Sequence, residues 1–414
     1  MASTLTYDGV DVNASRVAWE VDEKISELEA LGTKVTRFSV LGYSLGGVIA
    51  RYLVGLLHSR SPSFFEAHRP VSFTTVACPH LGIPAYNSYF STALIFLGSR
   101  LLARTGSQLY VRDRYSDEDP RPLLEIMADP TKVFHKALDQ FKHVQVFANG
   151  TRDFTVPYPS AAIEDSDPFI EWEAQGLVVE SNESGLVESW RYPDDQEALK
   201  MTQSKKSGWT NPMDKLPPVL KDRFRYNPAL LIVFPIAMPV ILVLMIFRLS
   251  MDSRRSSNRI ALLKTPKSLE GATPNRHGWS IEHLRDTIGR FEQSMETDLI
   301  EEADPPGQMR RRSRRSSAPH RPPNGSAKTR PTQMDGPEKL ELPSQRVQFT
   351  PAQQNMLRGL RRIKIDRFVT WYPDIGNSHA VSICRDPKNK PVHNKGRGLL
   401  KVWAESLIRD DAEE

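Results

Sequence analysis

One pentapeptide restricts this chain more than any other feature. In Gly42-Tyr43-Ser44-Leu45-Gly46, followed by Gly47, a serine stands between glycines. A β-branched apolar run, Val35–Leu41, leads in, and an apolar helical run, Val48–His58, leads out. A strand that breaks sharply into a helix lifts the serine hydroxyl clear of a sheet edge, which suits a nucleophile. Side chains flanking so tight a turn would collide, which accounts for glycine two residues before and two after. The pattern predicts Ser44 as nucleophile, with Leu45 and Gly46 forming part of the oxyanion and substrate loop.

A serine nucleophile needs a base to take its proton and an acid to orient that base. With this motif the chain order is Ser, acid, His. Asp153 directly follows a strand candidate, His143–Asn149, and is the expected acid; an ordinary turn aspartate is the alternative. Asp165 and Asp167 are rivals farther along. The later histidines are His277, His283, His320, His379 and His393. The first three lie in polar sequence with no scaffold, and His393 sits among Lys and Asn residues and reads as a surface residue. His379 follows the strand candidate Arg367–Tyr372 by a short loop and is the expected base. His80, in Cys78-Pro79-His80-Leu81-Gly82, precedes the acid and is assigned to the substrate-side loop.

The rest of the chain divides by composition. Residues 1–175 alternate amphipathic helices with short β-branched runs, the pattern of a parallel sheet covered by helices. Val17, Val21, Ile25 and Leu28 recur at helical spacing, and Gly32 suits the C-terminal cap. Ser72–Cys78 is another strand candidate. Residues 176–225 read as a polar connection, 226–249 as a membrane-inserting segment and 250–348 as a disordered linker rich in Arg, Ser and Pro. Residues 349–414 return to structured sequence, carry the histidine and end in an amphipathic helix, Leu399–Ile408. With 39% hydrophobic residues and 31 prolines, one interrupted globular domain fits better than several packed cores. Two cysteines, Cys78 and Cys384, supply neither a disulfide framework nor a metal cage and suggest a reducing compartment. Met1–Asn13 has no apolar signal-peptide core.

Pro228–Phe247 contains no charge. As one helix it would span roughly 30 Å, enough to cross a bilayer. A single crossing, however, would separate Ser44 and Asp153 from His379. Basic residues lie on both sides (Lys215, Lys221, Arg223 and Arg225; Arg248, Arg254 and Arg255), so they choose no orientation. Pro235 and Pro239 promote a bend, and a hairpin or in-plane insertion is expected. The net charge of +5 is uneven: no acid falls between Asp304 and Asp335, where Arg310–Arg330 is a solvated linker or a patch for anionic lipid. No nucleic-acid motif accompanies it, and no nucleic-acid partner is expected. Arg254-Arg255-Ser256-Ser257 and Arg314-Arg315-Ser316-Ser317 resemble basic-directed kinase sites, which would suit a regulated binding protein.

Leu41–Gly47, Pro79-His80-Leu81-Gly82, Asp153–Tyr158 and Ser378-His379-Ala380 together resemble the fungal serine esterase family of the α/β-hydrolase fold. That family includes lipid-droplet phospholipases and monoacylglycerol lipases. Thr6–Val12 is similar to its segment upstream of the first helix. The resemblance implies a mostly parallel sheet flanked by helices and a Ser44-Asp153-His379 triad without metal or organic cofactor. It also implies acyl glycerol or phospholipid substrates at the cytoplasmic face of a membrane or lipid droplet. Relatives open with a strand ending in a His-Gly loop that supplies half of the oxyanion hole, and this sequence begins after that point. The alternative expectation is therefore a catalytically impaired, membrane-associated relative acting as scaffold or regulator.

Overall fold

Apolar runs short enough for strands and long enough to be buried on both faces build the centre of the molecule. A computed structural model of the chain describes residues 5–84, 102–170, 172–193, 230–264, 288 and 348–412. His277, His283, His320 and the basic tract Arg310–Arg330 lie outside the described residues. The strands are β1 (Arg37–Tyr43), β2 (Arg69–Val76), β3 (His143–Asn149), β4 (Val178–Ser181), β5 (Val187–Arg191) and β6 (Asp366–Thr370). Four of them form a parallel sheet in the order β1-β2-β3-β6. The expected strand His143–Asn149 forms as read, and the others move by one to three residues at their ends.

Helices cover this sheet, giving an α/β architecture. They include α1 (Val10–Ala30), α2 (Leu45–His58), α3 (Val133–Asp139), α4 (Tyr158–Ala162), α5 (Leu230–Lys264), α6 (Pro351–Leu360) and α7 (Arg397–Ala412). Helix α2 is buried from Gly47 to Leu57, because α1 and α3 pack against it while it lies on β1. A helix apolar on every face can be stable only in such a position. Helix α1 is buried on every face from Val10 to Ala14 and one-sided beyond, where Ala18 is buried and Val17, Val21 and Ile25 pack partly against the same core. That core includes Leu53, Leu57, Phe73, Phe134 and Val144.

Two segments differ from expectation. Residues 176–225, read as a polar connection, begin with an antiparallel hairpin of β4 and β5. Its turn uses Gly185 at φ 74, and Leu186 bridges to Thr370 of β6. Val187 packs with Phe169, Val369 and Trp371, flanked by Trp172, Trp190 and Tyr192. Four- and five-residue strands are too short for a clear alternating pattern, so composition concealed them. The second difference is α5, a single helix of 35 residues, which departs from a hairpin turning at Pro235 and Pro239 but not from the other expectation, insertion in the plane of a membrane. Each proline removes one backbone donor and favours a kink, but the flanking turns carry the helix through. The helix also continues to Lys264, into sequence read as a disordered linker. Side chains 230–242 lie outside the described residues, and among the described residues no helix is long and apolar enough to cross a membrane.

Helix α6 joins the C-terminal residues to this core. Thr350 and Gln353 form a capping box, and Pro351 opens the helix without sacrificing a needed donor. Met356 and Leu360 are fully buried in the main core. Gln353 Nε2 donates to the Leu81 carbonyl at 2.9 Å, and His135 Nε2 lies 3.1 Å from the Gly359 carbonyl. A Cβ on Gly359 would collide with the Ala128 carbonyl oxygen. Gly359→Ala gains about 1 kcal/mol of helix propensity. It must also force two packed backbones apart, at a cost of about 1–3 kcal/mol. The expected outcome is net destabilisation, read as a lower urea midpoint for Gly359→Ala than for the parent chain.

Candidate active site

The turn between β1 and α2 holds Ser44 at φ 53 and ψ −127, in a region that L-residues rarely occupy. Such backbone strain costs about 1–3 kcal/mol and persists only when the surroundings enforce it. Here the Ser44 N–H donates to the Val76 carbonyl at 2.9 Å, and the Gly47 N–H donates to the Ser44 carbonyl at 3.0 Å. A Cβ on Gly42 would collide with the Gly47 backbone, and one on Gly47 would meet Cys78 Sγ at 2.5 Å. Around Gly46 the space is open. The close approach that sequence assigned to Gly42 and Gly46 is therefore made by Gly42 and Gly47. Leu45 and Gly46 occupy the first turn of α2, where backbone N–H groups lack intrahelical acceptors and can face an anion.

The structure brings Ser44, His379 and Asp153 together. His379 Nε2 lies 3.0 Å from Ser44 Oγ, and its Nδ1 lies 2.9 Å from Asp153 Oδ2. Asp153 Oδ1 accepts from the Thr155 and Val156 N–H groups at 2.8 and 2.9 Å. A carboxylate that accepts throughout leaves Nδ1 as the protonated ring nitrogen and Nε2 as the acceptor for the serine hydroxyl. The Asp153 side chain is 2% exposed and that of His379 is 10% exposed.

Two residues not assigned a role from sequence hold this arrangement. Asn149, the last residue of β3, donates from Nδ2 to Asp153 Oδ2 at 2.6 Å. Its Oδ1 accepts from Thr370 Oγ1 and Ser382 Oγ, each at 2.6 Å. One buried amide thus joins the acid, strand β6 and the loop that bears the base. Tyr43 precedes Ser44, and its hydroxyl donates to the His379 carbonyl at 3.1 Å. Its ring lies 5.0 Å from the imidazole, centroid to centroid. Burial, with a smaller contribution from Asp153 and against the effect of Arg385, pushes the Tyr43 hydroxyl up to about 12, so it remains a donor. The sequence offered no signal for Asn149, because β3 also carries the polar His143 and Gln145. The loop is further tied down by Ser378 Oγ donating to the Thr151 carbonyl and by Arg152 Nη1 donating to the Pro373 carbonyl at 2.8 Å.

The remaining candidates lie elsewhere. His80, assigned to the substrate side, is 2% exposed, and its Nε2 meets Thr75 Oγ1 at 2.9 Å. Its carbonyl accepts from Arg51 Nη1 at 3.0 Å. Burial first, then Arg51 and Arg367, hold its imidazole well below the usual range and therefore neutral. His80 is thus buried against Thr75 and Arg51 in the turn under the elbow, with its Nδ1 unpartnered among the described residues. His393, read as a surface residue, is buried, and its Nδ1 accepts from the Asp386 N–H at 3.0 Å. Asp165 pairs with Arg361 at 3.2 Å. Asp167 accepts from the Phe169 N–H at 3.0 Å, and burial raises its carboxyl to about 6. Neither bonds His379.

Asn149→Ala leaves the Thr370 and Ser382 hydroxyls short of an acceptor and Asp153 short of a donor. Leaving buried polar groups unpaired costs about 1–3 kcal/mol. A fall of that size in unfolding free energy is expected by urea titration, with an unchanged slope.

Residues 1–166 match the family described as "Putative serine esterase (DUF676)". "Putative lipase C4A8.10" of Schizosaccharomyces pombe is 34% identical over 145 residues, covering 34% of this chain and 18% of that relative. "Putative lipase ROG1" of Saccharomyces cerevisiae is 28% identical over 170 residues, covering 41% of this chain and 24% of the relative. "Putative lipase YDL109C" of the same yeast is 27% identical over 136 residues, covering 33% and 20%. The matches span about a quarter or less of these relatives' length. No solved structure matches the chain. Residues 1–166 of the chain are therefore similar to this serine esterase family.

Proposed function

We propose that the protein is a serine-dependent carboxylic ester hydrolase of the α/β-hydrolase type that acts on glycerolipids at a lipid surface. The observation that carries this reading is the hydrogen-bonded relay from Ser44 through His379 to Asp153. In the proposed reaction Ser44 Oγ attacks the ester carbonyl while His379 Nε2 takes its proton. Asp153 holds the imidazole in the required tautomer and stabilises the imidazolium. His379 then returns the proton to the departing alcohol. Water, activated by the same imidazole, releases the fatty acid from Ser44. The Leu45 N–H, in the first turn of α2, would stabilise developing negative charge on the carbonyl oxygen.

The choice of an acyl glycerol or phospholipid rests on further support. The relatives above carry lipase in their names, and Phe154, next to the acid, is 75% exposed. Val243, Leu244 and Phe247 on α5 are also exposed, and an unpaired apolar stripe of this kind suits the cytoplasmic face of a membrane or lipid droplet.

Ser44→Ala is expected to lower ester turnover by at least about 10⁴-fold, since loss of the nucleophile alone removes most triad catalysis. A fluorophosphonate probe should label the parent chain and spare Ser44→Ala; equal labelling of both would overturn the reading. Tyr43→Phe keeps the ring beside His379 but removes the bond to its carbonyl. One hydrogen bond is worth about 1 kcal/mol. That corresponds to a fall in kcat of about fivefold, with KM unchanged, in a steady-state assay on a short-chain ester.

A further inference from the structure

Asp8 ends the turn Leu5–Asp8 and is 0% exposed. A buried carboxylate needs compensating charge and hydrogen bonds. Arg16 Nη2 donates to its Oδ2 at 2.7 Å from the neighbouring helix α1. The other partners come from α5: Arg259 Nη2 reaches Oδ1 at 2.6 Å, Arg259 Nε reaches Oδ2 at 3.2 Å, and Ser256 Oγ donates to Oδ1 at 2.7 Å. Burial pushes the Asp8 carboxyl up, but the bonds from Arg259, Ser256 and Arg16 outweigh it and hold the group below the usual carboxylate value.

Among the described residues the apolar contribution to this seam is slight. Val12 and Ile260 form its buried hydrophobic pair. Beside them lies a cavity of about 270 Å³ lined by Arg104, Ser256, Ser257, Ile260 and Ala261. With little apolar surface covered, the docking of α5 depends on the cluster around Asp8. Ser256 is central to it and 1% exposed, yet it follows two exposed arginines, Arg254 and Arg255. Ser257, next along, is exposed and donates its hydroxyl to the Ser253 carbonyl.

We propose that Ser256 is the phosphorylation site of a basic-directed serine kinase, and that its phosphate releases α5 from the esterase domain. The γ-phosphoryl group of ATP passes to Ser256 Oγ, ADP leaves, and the hydroxyl proton goes to the kinase's base. Modification occurs when α5 is transiently undocked, because the docked hydroxyl is covered. The product carries about −1.5 to −2 charges and can no longer donate to Asp8. Redocking would bury that charge against a carboxylate, with Arg16 and Arg259 already committed to Asp8 and Arg104 to Asp11. A phosphate on Ser257 faces solvent and leaves the Asp8 cluster intact. This inference is independent of the esterase reading, since its readout is the position of a helix.

The test uses the full chain with Cys384→Ser and spin labels at two exposed positions, Glu23 on α1 and Asn258 on α5. Double electron–electron resonance should give a narrow distance distribution for this parent and for Ser256→Ala, which keeps both arginines on Asp8. The narrow component should be lost in Ser256→Asp, in Asp8→Asn, and after incubation with ATP and the catalytic subunit of cyclic-AMP-dependent protein kinase. Mass spectrometry should then place phosphate on Ser256. Phosphate on Ser257 alone would overturn the proposal, as would a narrow distribution retained by Ser256→Asp.

Discussion

Strand β6 pairs in parallel with β3 from Gln145↔Asp366 to Asn149↔Thr370, and the geometry of the site follows from that register. The pairing sets Thr370 against Asn149, so that one amide reaches the acid turn on one side and the base loop on the other. A slip of one residue would turn Thr370 to the opposite face and send the Asn149 amide away from its partners. The apolar side chains guard against that slip. Val369 packs with Phe169 and Trp371, and Phe368 stacks on Phe147 at 4.7 Å between centroids. Side-chain packing far from Ser44 thus fixes the position of the imidazole.

The same economy appears around the nucleophile. Strain at Ser44 is held by neighbours that cannot move: Gly42 and Gly47 lie backbone to backbone, Cys78 closes over Gly47, and α2 is buried along its length. Each catalytic candidate has its polar atoms occupied before any substrate arrives, which reduces reorganisation during reaction. Tyr43 shortens the path further. It belongs to the strand that leads into Ser44 and bonds the His379 carbonyl, so Ser44 and His379 are coupled directly as well as through the sheet.

Polar groups buried away from the triad divide into two kinds. Arg51 and His80 brace the turn after β2. Burial lowers the Arg51 guanidinium to about 10, and it still gives a hydrogen bond to the His80 carbonyl. These groups keep the elbow rigid. Asp8, by contrast, draws its partners from α1 and α5 and lies in a seam with little apolar cover among the described residues. A joint of that kind holds by charge pairing, and its strength is sensitive to any new charge, unlike a joint held by packed side chains.

Much of the site was legible because its signals are local. Gly42-Tyr43-Ser44-Leu45-Gly46 between an apolar strand and an apolar helix specifies a strained turn from a handful of adjacent residues. Asp153 follows its strand by four residues, and that separation is also readable. His379 could be named from the strand before it, but its 3.0 and 2.9 Å contacts arise only when β6 pairs with β3. The roles of Asn149 and Tyr43, the inward turn of His80, the burial of His393 and the docking of α5 on Asp8 left no pattern in the sequence. Each depends on groups far apart along the chain, and periodicity records only which face of an element is apolar. Local sequence determined the nucleophile's turn, the strands and the covering helices. Tertiary structure decided which distant polar groups met, because burial favours partners and only the fold brings them within reach.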